Sequence, residues 1–317
     1  MSRPTVLVPT PMSDVVLEGC AASFDLLRLW EEEDADAALA ARGPDVLAVA
    51  TGGQRRLDGA LMDRLPNLQI IASFGVGYDS VDVEAAGQRG VVITNTPGVL
   101  DAEVADTALG LLLMTVRELG RAERYLRAGR WEDRPYPLTP ATVAGRRLGI
   151  LGLGRIGETI ARRAEVFAMT VGYHNRREKD VPYRYYPSLL EMAGDVDTLV
   201  VVAPGGPQTR HLVGAEVLRA LGSDGILVNV GRASVVDQAA LVEALRTGTI
   251  LSAGLDVYED EPHVPQELLE LDNAVLLPHV GSASIPTRRA MGQLVVDNLA
   301  AWFATGRALT PVPAGAR

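Results

Sequence analysis

The apolar residues Leu148, Ile150 and Leu151 lead straight into Gly152-Leu153-Gly154-Arg155-Ile156-Gly157, and then into Glu158-Thr159-Ile160-Ala161-Arg162-Arg163-Ala164. No other stretch restricts the fold so tightly. The apolar run reads as a buried strand and the segment after the glycines as a helix. Gly152 permits a tight turn, Gly154 lets backbone approach a pyrophosphate, and Gly157 lets the helix pack on the strand. The helix N-terminus, with Arg155 and Ile156 in its first turn, offers N–H groups to phosphate charge. An ordinary Gly-rich turn can carry the same letters. The strand before, the helix after and a second strand from about Thr170 favour a dinucleotide site.

A site for NAD usually carries Asp or Glu about 20 residues beyond the glycines, to hold ribose hydroxyls. Here Thr170-Val171-Gly172-Tyr173 runs into His174-Asn175-Arg176-Arg177, with no carboxylate before Glu178. Two guanidiniums in that place suit a 2′-phosphate, so Asn175, Arg176 and Arg177 are predicted cofactor ligands. The competing reading is a solvated basic turn. NADP(H) is the preferred cofactor, with NAD(H) also admitted.

The chain has 317 residues, enough for about two domains. Hydrophobic residues make up 47% and charged residues 22%, the balance of an ordinary globular protein. A net charge of −10 argues against nucleic acid or an anionic membrane as partner. A single cysteine, Cys20, excludes an internal disulfide framework and fits a cytoplasmic location. The segment Met1 to Pro9 is too short and too broken by proline for a signal peptide. No uncharged apolar run reaches the ~18 residues of a membrane span.

Apolar runs at 5–8, 46–50, 69–72 and 91–93 alternate with helix-like segments, the rhythm of a parallel α/β sheet. One long apolar helix is predicted from about Ala102 to Tyr125. Beyond the glycines, strands recur near 148–151, 170–173, 198–203, 226–230, 252–256 and 274–278, six in all. The expected fold is two doubly wound parallel-sheet domains: a central Rossmann dinucleotide-binding domain (100–285) and a flavodoxin-like substrate domain. The latter would comprise 1–99, completed by a C-terminal helical segment at 286–317. Two crossings between domains would make a hinge with the substrate cleft beside it.

Three ionisable residues follow predicted strands downstream of the glycines: Arg232, Glu261 and His279. Carboxyl ends of strands in a doubly wound sheet converge on one crevice, so these three could meet there. A guanidinium can bind a carboxylate and polarise a keto oxygen. A histidine can protonate that oxygen as hydride reaches the carbon, and a neighbouring carboxylate would orient its ring and favour the charged form. Any one of these residues alone is more often a surface ion-pair partner. His211, after Thr209-Arg210 at an expected helix start, and His263 have structural or solvated readings, and His174 lies at the cofactor rim.

The chain resembles the D-2-hydroxyacid dehydrogenase family, most of all its glyoxylate/hydroxypyruvate reductase branch. The resemblance is carried by Phe74 to Asp79, Asn95 to Leu100, Gly152 to Gly157, Asn229 to Asp237, Gly254 to Pro262 and Pro278 to Gly281, in order. It implies the catalytic trio Arg232, Glu261 and His279, and a substrate carboxylate held at the backbone N–H groups of Val76 and Gly77. It further implies cofactor contacts at Ala203, Pro204, Thr209, Val230, Gly231 and Gly281, and places Asp256 near the nicotinamide carboxamide. Trp131 would reach the neighbouring subunit's site, and Tyr78 would lie near the substrate loop. Two departures stand out: Arg232-Ala233 where Arg-Gly is frequent, and Ala203-Pro204-Gly205-Gly206 where a bulkier version is common.

The function these readings imply is reduction of small 2-keto acids, glyoxylate and hydroxypyruvate, to D-2-hydroxy acids by a cytoplasmic homodimer. The dimer is expected because Leu109, Leu111, Leu112, Leu113 and Met114 carry more apolar surface than one face of a solvated helix requires. The alternatives are an NAD-dependent dehydrogenase of D-3-phosphoglycerate or an aromatic 2-hydroxy acid, and a dinucleotide-sensing corepressor-like protein.

Overall fold

Runs rich in Val, Ile and Leu become strands here because both faces of each sheet are covered, so alternate side chains find opposite cores. The computed structural model describes residues 3–52 and 55–313. It divides into two units, one holding the chain up to Leu100 and again from Ser284, the other spanning Asp101–Ala283.

The first unit contains β1 (Thr5–Val8), β2 (Asp25–Arg28), β3 (Val46–Thr51), β4 (Ile70–Ser73) and β5 (Val92–Thr94). They form a parallel sheet in the order β2-β1-β3-β4-β5, the flavodoxin-like order. Leu7, Val49, Ile71 and Ile93 pack on one face. Val6, Val8, Ala48, Ala50, Ile70 and Ala72 pack on the other, where Val295 and Leu299 of the C-terminal helix Ile285–Thr305 meet them. The sequence reading omits β2. Its ends are Asp25 and Arg28, and an edge strand buries only Leu27 fully, so it carries little apolar signal.

The second unit contains β6 (Arg147–Leu151), β7 (Thr170–His174), β8 (Arg184–Tyr185), β9 (Thr198–Val201), β10 (Ile226–Asn229), β11 (Ser252–Leu255) and β12 (Ala274–Leu276). Their order is β12-β11-β10-β9-β6-β7-β8, all parallel. The sheet therefore has seven strands rather than six; the addition, β8, is a two-residue edge strand with no apolar run to announce it.

The single long helix expected from Ala102 is two helices, Asp101–Val116 and Leu119–Arg127. Between them Glu118 adopts φ 51, and its carboxylate accepts the Tyr136 hydroxyl at 2.6 Å. The first helix is buried along its length, whereas the second buries no residue. Leu109, Leu111 and Leu112 are core residues of the unit itself. Packing on β10, β11 and β12 accounts for that apolar surface, so these leucines are no argument for a dimer. At the closest approach a Cβ on Gly254 of β11 would stand 2.8 Å from Thr115 Oγ1.

Candidate active site

The Gly-rich turn lies where β6 ends, at the point where strand order reverses between β6 and β9. Gly152 has φ 101, and a Cβ there would sit 2.6 Å from the Ala203 nitrogen. A Cβ on Gly157, in the first turn of helix Arg155–Val166, would stand 2.6 Å from the Gly152 carbonyl oxygen. Around Gly154 the corresponding space is open to 4 Å. Gly154 is the N-cap and no side chain caps the helix. Gly231, after β10, comes so close to Val202 and Ala203 that a Cβ would meet them at 3.0 Å. Val230 N–H donates to the Val201 carbonyl at 3.1 Å, closing the strand end beside it. A cradle fitted to a phosphate group results, and its residues fit a dinucleotide.

At the end of β7 the side chain of Asn175 is tied to the glycine turn. Its Oδ1 accepts Leu153 N–H at 2.7 Å and its Nδ2 donates to the Leu153 carbonyl at 3.3 Å. A carboxylate could make the first bond but not the second. Arg176 and Arg177 are exposed, and Arg176 Nη1 donates to Gln208 Oε1 at 3.4 Å. Thr209 Oγ1 donates to the Pro204 carbonyl at 2.8 Å, which folds the 203–209 loop back on itself. Sequence reasoning missed Lys179, whose Nζ reaches the Leu153 carbonyl at 3.1 Å and pairs with Glu158. Twenty-one positions separate that pair, so no local pattern could reveal it. His174 Nδ1 donates to the Tyr186 carbonyl at 2.8 Å, an inward contact.

The three strands β10, β11 and β12 lie side by side, with Asn229, Leu255 and Leu276 in register at their ends. Arg232, Asp256 and His279 leave from those adjacent ends. The turn to Arg232 is shaped by buried Asn229, whose Oδ1 accepts Gly231 N–H at 3.0 Å and whose Nδ2 donates to the Arg232 carbonyl at 3.2 Å. Arg232 Nη1 donates to the Gly231 carbonyl at 2.8 Å.

Glu261 and His279 are in contact. Glu261 Oε2 lies 2.7 Å from His279 Nδ1, and Glu261 Oε1 accepts the Tyr258 N–H at 3.0 Å. Both carboxylate oxygens are thus used, and the imidazole is oriented through Nδ1 with Nε2 left for other chemistry. The His279 side chain is 50% exposed, enough for a substrate to reach it. Its backbone has φ 51, a left-handed conformation costing a non-glycine residue on the order of 1 kcal/mol. Asp256 is buried; burial pushes its carboxyl up, opposed by hydrogen bonds from the Val280 and Gly281 amides. Those bonds measure 2.7 and 2.8 Å. The Tyr258 phenol, donating to the Leu277 carbonyl at 2.9 Å, is pushed up to about 12 by burial.

In the first unit, the turn after β4 carries Val76 and Gly77. Asn95 Nδ2 donates to the Val76 carbonyl at 2.8 Å, Ser73 Oγ to the Gly77 carbonyl at 3.4 Å, and Thr96 N–H to the Gly75 carbonyl at 2.8 Å. Three consecutive carbonyls are therefore bonded to the unit's own groups. His211 does not start a helix: it has φ 53 in the turn before helix Ala215–Leu221, with Nε2 3.0 Å from Glu259 Oε1. His263 is exposed beside Asp260. Among the described residues no cluster of His, Cys, Asp or Glu could hold a metal ion, and no helix is long and apolar enough to cross a membrane.

Comparisons with known proteins agree with one another. The family described as D-isomer specific 2-hydroxyacid dehydrogenase, NAD binding domain, matches residues 109–281. Glyoxylate/hydroxypyruvate reductase A of Arabidopsis thaliana is 44% identical over 97% of this chain and 98% of its own length. Hydroxyphenylpyruvate reductase of Plectranthus scutellarioides is 43% identical over the same shares. The solved structure of the NADPH-dependent glyoxylate/hydroxypyruvate reductase of Sinorhizobium meliloti, in complex with NADP and malonate, is 54% identical. It superposes with a TM-score of 0.93 over 98% of this chain and 97% of that one. The chain belongs to the D-isomer specific 2-hydroxyacid dehydrogenase family.

Proposed function

We propose that this protein is an NADPH-preferring reductase of small 2-keto acids, with glyoxylate and hydroxypyruvate as substrates and 2-hydroxy acids as products, of D configuration where the reduced carbon becomes chiral. The observation that carries the reading is the Glu261–His279 pair at 2.7 Å, set at strand ends of the sheet that carries the Gly152–Gly157 cradle. The nicotinamide, when bound, supplies the hydride that reduces the keto carbon. Gly152, Gly154, Arg155, Ile156 and Gly157 would hold its pyrophosphate. Ala203, Pro204, Thr209, Val230, Gly231, Asp256 and Gly281 would line the rest of the dinucleotide. Asn175, Arg176 and Arg177 receive the 2′-phosphate, a reading supported by a strand end with Asn and two arginines in place of an acid.

Arg232 anchors the substrate carboxylate and polarises the keto oxygen, so that charge developing on the oxygen meets a fixed cation. His279 delivers a proton from Nε2 to that oxygen, and Glu261 stabilises the charged ring. The amides of Val76 and Gly77 are kept as a second carboxylate-binding element. The protein acts in the cytoplasm as a homodimer, a reading supported by Leu126, Trp131 and Leu138. These side chains are 56%, 65% and 98% exposed on one continuous stretch, and Trp131 would complete the neighbour's site.

Oxidation of NADPH at 340 nm with glyoxylate and then hydroxypyruvate tests the activity. Turnover with neither substrate would end the proposal. Light scattering at micromolar concentration tests the assembly, and a monomer mass would remove Trp131 from the site.

A further inference from the structure

His279 presents its ring from a left-handed backbone position, φ 51, which is uncommon for a residue that carries a side chain. The two residues that follow it are both gripped by one side chain. Asp256 Oδ1 accepts Val280 N–H at 2.7 Å and Asp256 Oδ2 accepts Gly281 N–H at 2.8 Å. The grip needs a residue without a side chain at its far end, because a Cβ on Gly281 would stand 2.8 Å from Asp256 Oδ2. Asp256 is 2% exposed and directly follows β11, so its carboxylate is fixed by the sheet. From the other side Glu261, itself anchored by the Tyr258 amide, holds His279 Nδ1.

We infer that Asp256 is a positioning residue: its carboxylate clamps the Val280 and Gly281 amides and so holds the His279 turn in its left-handed form. Its role is thus to aim the proton donor. The inference rests on the reading of His279 as the proton donor. Only a carboxylate suits the clamp. In Asp256→Asn the side chain keeps one acceptor oxygen, but its NH2 group faces an amide N–H that it cannot accept.

Asp256→Asn is expected to lower kcat for glyoxylate by on the order of thirtyfold, within the range of a misaligned general acid. Asp256→Glu should recover part of the loss. Gly281→Ala retains the carboxylate but displaces it, and should reproduce the Asp256→Asn defect. The double variant should be little worse than either single one. The chain has four histidines, so ring-nitrogen NMR resolves them individually. The His279 resonances should move in both variants, while those of His174, His211 and His263 stay in place.

Unmoved His279 resonances in both variants would overturn the inference, as would an unchanged kcat in both. If Asp256→Asn does not fold, Gly281→Ala decides. Should the wild type reduce no 2-keto acid, the proposed function fails by itself, because the spectra still report whether the clamp sets the His279 ring.

Discussion

Two turns of the second sheet use left-handed backbone and are built in opposite ways. After β6, Gly152 takes φ 101 because it has no side chain, and the space that a Cβ would need is filled by Ala203. After β12, His279 takes φ 51 with its imidazole in place. It is held by two carboxylates, one 18 positions back and one gripping the next residue from 24 positions back. The difference follows from what each turn presents. The first presents bare backbone to a ligand, and deleting a side chain suffices. The second presents a side chain, so distant parts of the fold must supply the holding contacts.

The severest break in this comparison is Gly152→Ala. The added carbon meets backbone at 2.6 Å, which no rotamer can relieve. A loss of roughly 3 kcal/mol or more in urea-unfolding stability is expected, together with loss of NADPH binding. A variant of native stability would show the turn to be as adaptable as an ordinary loop.

Arg232→Ala comes next. Carboxylate anchoring and carbonyl polarisation both disappear, so kcat/KM for glyoxylate should fall by about 3 kcal/mol. Arg232→Lys should regain only part, since an ammonium lacks the bidentate fork. Steady-state kinetics close to wild type in Arg232→Ala would remove Arg232 from the chemistry.

His279→Ala should slow reduction by about 10²-fold or more while NADPH titrations look like wild type. Glu261→Gln retains an acceptor for the ring but loses the charge, and about a tenfold slower kcat is expected. If the two variants were equally impaired, orientation of the ring would matter as much as its presence.

The gentlest effect is cofactor choice. A KM for NADPH roughly tenfold below that for NADH, or ~1.4 kcal/mol, is a modest demand on one charged contact. Asn175→Asp combined with Arg176→Ala should level or reverse that ratio. Equal use of both cofactors by the wild type would mean that Arg176 and Arg177 serve only as a solvated turn.

What could be read from letters alone divides along the same line. Most strands with apolar runs stand out because they are buried on both faces, the half-buried edge strand β12 excepted, whereas β2 and β8 are edge strands with little apolar sequence. The glycine turn is legible because strand, turn and helix are contiguous. The break at Glu118 is not, since Tyr136, 18 positions later, is what meets the Glu118 carboxylate there. Leu109, Leu111 and Leu112 read as surplus surface until β10, β11 and β12 are seen to lie against their helix. Asp256 was singled out by resemblance, yet its two amide partners are nowhere near it in sequence.

By itself, the sequence determined the parallel α/β architecture and the glycine turn, and it brought Arg232, Glu261 and His279 forward as candidates. Burial periodicity and glycine's conformational freedom are properties of neighbouring residues, so they are written locally. Only the tertiary structure decided that Glu261 reaches His279 Nδ1, that Asp256 grips the turn behind it, and that Asn175 is bound to Leu153. Each of these is a hydrogen bond between residues brought together by the order of strands in the sheet. That order comes from packing across the whole unit, which no local stretch of sequence contains.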